Sequence, residues 1–158
     1  MKIREAAPGD GDVRRAFLTR WNALYNARKG VLEPGMDHPA LVAEDDGRLI
    51  GVLTYVIIDD QCEVLTLHVD DQRRGVGTAL LSEIADIARG VGCRRLWLIT
   101  TNDNVDALRF YQRRGLRLAA LYAGAVDESR RTLKPEIPTV GMYGIPLRDE
   151  IELELDLT

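Results

Sequence analysis

Gln72-Arg73-Arg74-Gly75-Val76-Gly77 links an apolar strand to an apolar helix, and residues of these types at this spacing can hold an anion. The two arginines bring delocalised charge with forked donors that suit phosphate. Gly75 and Gly77 carry no Cβ, so an anion can come close to the backbone. A helix opening near Gly75 presents amides that lack internal partners, together with the positive end of its dipole. Strand, loop and helix start together describe a pyrophosphate cradle. GxxxxGK[ST] is absent and there is no third glycine, so the stretch is neither a P-loop nor a dinucleotide fingerprint. Taken alone, it reads equally well as an ordinary helix start beside a solvated arginine pair.

The surrounding elements must place that cradle. Lys2 to Ala6 reads as a short strand broken by "PGDGD". A helix is predicted from about Val13 to Arg28, with Asp12 as its N-cap and Val13, Phe17, Leu24 and Ala27 along one stripe. "KGVLEPGMDHP" reads as loop. Residues 40–59 give strand, Asp-Asp-Gly turn, strand, which is a hairpin signal. "CEVLTLHV" is a further strand, with Val64, Thr66 and His68 expected on one face and Leu65, Leu67 and Val69 on the other.

After the glycines the period lengthens. Leu80, Ile84, Ile87 or Ala88, and Val91 predict an amphipathic helix that Gly90 and Gly92 stop. "RRLWLIT" is a buried-looking strand. "NDNVDALRFYQRRG" is a shorter helix with an Asn or Asp cap and Gly115 at its end. "LRLAALYAGAV" is a strand, followed by a long loop with three prolines. In the last strand Ile151, Leu153, Leu155 and Leu157 alternate with Glu150, Glu152, Glu154 and Asp156, giving one buried face and one acidic face expected to meet water. The order is mixed α/β, with helices covering a largely antiparallel sheet.

Gln72 to Gly77 matches the Q/R-x-x-G-x-G/A signature of the GNAT superfamily of acyl-CoA-dependent N-acetyltransferases. A second segment, Asn104-Val-Asp-Ala107-Leu108-Arg-Phe110-Tyr111-Gln-Arg-Arg-Gly115-Leu116, resembles that family's N-x-x-A-x-x-F/L-Y-x-x-x-G-F element, with Leu116 where Phe is usual. The resemblance runs across nearly the whole chain. It implies one N-acetyltransferase domain over residues 1–158, with a six- to seven-stranded, mostly antiparallel sheet whose fourth and fifth strands splay apart. Those strands would be Cys62 to Val69 and Arg95 to Thr101, with the pantetheine of acetyl-CoA in the gap.

The same resemblance implies roles for particular residues. Backbone groups of Leu67 and Val69, with His68 between them, would meet pantetheine. Amides from Arg73 to Thr78, beside Gln72 and including Arg74, Gly75, Val76 and Gly77, would hold the pyrophosphate. Asn104 would sit near the pantetheine, and it reads equally as a plain N-cap. Tyr111 would act as general acid on the leaving thiolate, although "FY" also fits an aromatic pair in a core. Glu63 would take the proton from the amine, His68 is a second candidate, and a solvated strand-end glutamate is the plain alternative.

The acceptor site would draw on Trp21 to His38, Tyr55 and Tyr122 to Tyr143, for a small-molecule or peptide amine. The segment before the last strand reads as a loop over the sheet edge, a wall of the acceptor site, or a homodimer contact. The rival function is an acyl-CoA-binding or regulatory module without turnover. A nucleotide-binding protein outside this family ranks third, because no ribose-binding or Mg²⁺-binding motif accompanies the loop.

Composition limits the other classes. The chain has 158 residues, 46% hydrophobic and 29% charged, as expected of a domain with a real core. Its formal charge of −4 gives no general case for nucleic acid or an anionic membrane. Cys62 and Cys93 lack CxxC spacing, and His38 and His68 stand thirty residues apart, so no metal and no disulfide is expected. The first residues lack the apolar run of a signal peptide and no stretch nears the ~20 residues that cross a bilayer, so a cytoplasmic protein is expected.

Overall fold

The computed structural model describes residues 1–70 and 75–158. It has a mixed α/β fold, with a seven-stranded, mostly antiparallel sheet flanked by four helices and a separate two-stranded sheet. The chain forms two compact units, one of residues 1–25, 34–96 and 156–158, the other of residues 26–33 and 97–155.

In the first unit, β1 (Lys2–Glu5), β4 (Ala40–Asp45), β5 (Arg48–Ile58) and β6 (Gln61–Val69) follow one another as antiparallel neighbours. The Asp46-Gly47 turn between β4 and β5 has positive φ at both positions, the hairpin geometry that Asp-Gly favours. Helix α1 (Gly11–Arg20) buries Phe17 and Leu18 against Ala40, Val42 and Val52.

The predicted first helix was too long and its cap misplaced. Asn22 adopts φ 53, and the amide of Ala23 bonds the Leu18 carbonyl at 2.7 Å, so the helix closes there. Asp10, not Asp12, occupies the N-cap, and its carboxylate is taken by the Arg4 guanidinium at 2.8 Å and by the Ala7 amide at 2.7 Å. The guanidinium holds that carboxyl far below the ordinary range. Asp70, at the end of β6, then ties α1 in place. It accepts from Arg20 at 2.6 Å and from the Trp21 indole at 3.2 Å.

Helix α2 (Val76–Gly90) lays Leu80, Leu81, Ile84 and Ala88 inward, as its spacing predicts. Val91, assigned to that stripe, instead lies past the helix end and is exposed. The helix comes down on β5 at Gly51, where an added Cβ would lie 3.1 Å from both Val76 and Leu80.

Strand β6 departs from simple alternation. Thr66 faces Thr54 and Val64 faces Tyr55, so Leu65 falls between two registers as a bulge. The extra residue reverses which side chains share a face. Thr66 and His68 lie on the face of Thr54 and Val52, whereas Val64 lies on the opposite face with Tyr55. Glu63, opposite Val56, joins Thr66 and His68.

In the second unit β2 (Tyr25–Arg28) pairs with β3 (Val31–Pro34), where a helix end and a loop were expected; Tyr25 and Pro34, at the two ends of this hairpin, belong to the first unit. Lys29 and Gly30 have φ 49 and 75, and two consecutive left-handed residues make the tight turn of a hairpin. β7 (Arg95–Thr101), β9 (Glu150–Asp156) and β8 (Arg117–Tyr122) follow in that order across the sheet. Helix α3 (Val105–Arg113) connects β7 to β8. Helix α4 (Ala125–Thr132) replaces the start of the predicted loop; Asp127–Arg130 and Glu128–Arg131 pairs support it. Among the described residues no helix is long and apolar enough to cross a membrane.

Candidate functional site

In the first unit the predicted residues lie along β6 and at the start of α2. Gln72, Arg73 and Arg74 fall outside the described residues. Gly75 is the N-cap of α2 in the left-handed conformation, φ 73, which only glycine adopts readily. The space where its Cβ would stand has no neighbour within 4 Å. Val76, Gly77 and Thr78 form the first turn, and helix geometry aims the earliest amides of a helix outward along its axis. This donor set fits a phosphate group.

The backbone of β6 fits an amide-bearing ligand as well. The Asp70 amide bonds the Ile50 carbonyl of β5 at 2.8 Å, in register with Gly51 opposite Val69. Polar groups alternate direction along an antiparallel strand. Those of Asp70, His68 and Thr66 therefore point toward β5, and those of Val69 and Leu67 point away from it.

Glu63 is buried, so the solvated strand-end glutamate is ruled out. On its face the Thr54 and Thr66 hydroxyls are buried and have no hydrogen-bond partner among the described residues. Each such group costs about 1–3 kcal/mol while it stays unpaired.

His68 stacks on Trp21, ring centroids 5.2 Å apart and planes 18° from parallel. Burial pushes its imidazole down to about 4. In the unfolded chain the imidazole takes its proton near pH 6.5. Between these values the unfolded state binds the extra proton, so stability falls as pH drops from 6.5 toward 4 and is fully kept above 6.5. The loss amounts to up to about 3 kcal/mol. Urea unfolding at pH 7 and pH 4.5 should give a smaller difference for His68→Gln than for the natural chain. Equal differences would refute the assignment.

In the second unit Asn104 caps α3, its side-chain oxygen accepting from the Ala107 amide at 3.1 Å. The plain N-cap reading is thus correct for that oxygen. Tyr111 is buried on α3, its ring edge-on to Phe110 with centroids 5.2 Å apart. Burial raises its hydroxyl well above the ordinary phenol range, so it stays protonated. Asp103, just before the cap, accepts from the Thr101 hydroxyl and from the Met142 amide, fixing the loop ahead of β9.

A family model described as the acetyltransferase (GNAT) family matches residues 11–116. The chain belongs to the acetyltransferase (GNAT) family. The matched range holds β6, the Gly75 start of α2, Asn104 and Tyr111. The uncharacterized protein YdhI of Bacillus subtilis (strain 168) is 48% identical over 107 residues, 68% of this chain and 66% of that relative. The streptothricin acetyltransferase of Streptomyces lavendulae is 36% identical over 101 residues, 59% of this chain and 53% of its own length. The chain is thus similar to about two thirds or less of the length of these relatives. A Bacillus subtilis acetyltransferase solved in complex with CoA shares the fold, with a TM-score of 0.68, 19% identity and coverage of 99% and 100% of the two chains.

The acceptor aromatics fall in both units, Trp21, Tyr25 and Tyr55 in the first and Tyr122 and Tyr143 in the second. Trp21 stacks on His68 and Tyr55 is buried in the first unit. Tyr25 is exposed, and Tyr143 is exposed with its hydroxyl on Asp106 of α3 at 2.7 Å. Tyr122 enters a cluster that sequence reasoning missed. Glu150 and Glu152, expected to face water, are buried, and Lys29 from the β2–β3 turn reaches both, its backbone amide donating to Glu150 and its ammonium to Glu152. The signal was the alternation 150/152 itself: it showed that the two carboxylates share a face, though not what lies over it.

Proposed function

We propose that this GNAT chain transfers an acetyl group from acetyl-CoA to a primary amine of a small molecule or peptide by direct attack. The observation that carries the reading is the left-handed Gly75 opening α2, the helix that follows β6 in the chain, inside the matched family region. In this reading the first amides of α2, Gly75 to Thr78, hold the pyrophosphate with Gln72, Arg73 and Arg74. Leu67, His68 and Val69 run beside the pantetheine, with the outward backbone groups of Leu67 and Val69 bonding its amides. Asn104 orients the arm from the start of α3.

The chemistry asks for one proton acceptor and one donor. The amine nitrogen forms a bond to the thioester carbonyl carbon, the carbon–sulfur bond breaks, and the nitrogen gives up its proton. Glu63 accepts that proton, either directly or through water. A desolvated amine has a lowered pKa, so the transfer needs only a modest base. In this reading Tyr111 is the hydrogen-bond donor to the leaving sulfur. A thiol ordinarily titrates near 8.5, below a phenol near 10. The tyrosine therefore stabilises the thiolate by donating a hydrogen bond more than by losing its proton for good.

A thiol-release screen over alkylamines and peptide N-termini, with products identified by mass spectrometry, tests the reading. Thiol release that depends on amine, with an acetylated amine as product, supports it. Release without any acetylated amine contradicts it.

A further inference from the structure

The cluster around Lys29 has the build of a binding site with its occupant in place. The Lys29 ammonium lies 5.2 Å from the centre of the Trp97 ring and 5.0 Å from that of Tyr122. It is 3.4 Å from Glu152, which also accepts the Tyr122 hydroxyl at 2.9 Å. The Lys29 backbone amide donates to Glu150 at 3.0 Å. Two ring faces closing on an ammonium, with a carboxylate behind it, form the arrangement that recognises ligand cations.

Fold stability gives little reason for it. Removing two carboxylates from water costs several kcal/mol each, and apolar residues of the same size would fill the space more cheaply. The occupant is also a removable part. Lys29 sits at the tip of the β2–β3 hairpin, a two-stranded sheet separate from the large one, and its side chain is 38% exposed whereas that of Glu152 is 9% exposed.

We propose that the Trp97–Tyr122–Glu150–Glu152 box is the subsite for an ammonium group of the acceptor, and that Lys29 fills it as a built-in competitor. This rests on the amine-acetylation reading above. An incoming primary ammonium takes the place of the lysine, and the hairpin tip moves off. Acceptors are then amines that carry a second, cationic group on an alkyl stem lying between the two rings, so the attacking nitrogen stays free to give its proton to Glu63. Neutral or anionic compounds of equal size do not compete.

Hydrogen exchange of the full chain without any donor tests the proposal separately from catalysis. Butylammonium chloride is the probe, with n-butanol and sodium chloride as controls. The Lys29 amide, held by Glu150, should exchange at least about fivefold faster at saturating butylammonium and stay unchanged in both controls. Lys29→Met removes the competing charge, and titration should show butylammonium binding to it about tenfold or more tightly than to the natural chain. An unchanged Lys29 amide, or equal affinity in the two chains, overturns the proposal. Displacement of Lys29 by butylammonium with no acetylated amine from any acceptor in the thiol-release screen would leave the subsite standing and count against the acetyltransfer reading instead.

Discussion

Tyr111→Phe is expected to lower kcat by about 100-fold or more while leaving acetyl-CoA affinity within about twofold. The argument begins with packing. Tyr111 is buried on α3 and its ring meets Phe110 edge-on, a contact that phenylalanine keeps. The variant loses one hydroxyl and almost no volume, so the fold should hold. Burial keeps that hydroxyl protonated at every working pH. In the proposed mechanism its hydrogen bond to the sulfur gains strength only as charge builds there, so its loss is expected to fall on the transition state and not on donor binding. Steady-state kinetics with calorimetric titration of acetyl-CoA separates these effects. Unchanged kcat would remove the role, and a matched loss of affinity and turnover would make Tyr111 a structural residue.

Gly51→Val should be the most damaging single change on the donor side. A bare Cβ at position 51 already lies 3.1 Å from Val76 and Leu80, both fully buried. Two further methyl groups would have to push α2 off β5. Overpacking of this kind costs about 1–3 kcal/mol. The displaced residue, Val76, belongs to the first turn of α2, so the cost reaches the proposed phosphate cradle as well as the core. The KM for acetyl-CoA should rise about tenfold or more, since small misplacements of binding groups are costly. Gly51→Ala should show a weaker form of both effects. Chemical denaturation and KM measured on the same preparations test the coupling; a stability loss with unchanged KM would separate the sheet contact from the donor site.

These cases also show what the sequence could and could not reveal. Helix α2 was legible because Leu80, Ile84 and Ala88 recur at helical spacing and Gly75 marks the start. Helix α3 was legible from its Asn104 cap and Gly115. The turn at Asp46-Gly47 was legible because few residue pairs accept two left-handed positions. Other features had a weak local signal or none. Asn22 is a residue type that accepts the left-handed helix end, a weaker stop signal than glycine, and an apolar spacing through Leu24 and Ala27 outweighed it and extended α1 into what is a hairpin. A bulge such as Leu65 is one added residue, and it inverts the faces of β6 without altering its composition. Glu150 and Glu152 are buried and meet Lys29, more than one hundred residues away in sequence. Alternation tells which residues share a face, and only the fold tells what covers it.

The glycine stretch is the centre of the proposed function, which assigns the left-handed Gly75 and the first turn of α2 to the donor phosphates. Thermal unfolding of the chain with acetyl-CoA, CoA, ATP and NAD, each in turn, is the most direct test of that claim. A ligand held at one hundred times its dissociation constant adds about 2.7 kcal/mol to folding stability. The account predicts a saturable rise in melting temperature with acetyl-CoA and with CoA, and none with NAD. A rise with ATP or NAD and none with either CoA species would contradict it.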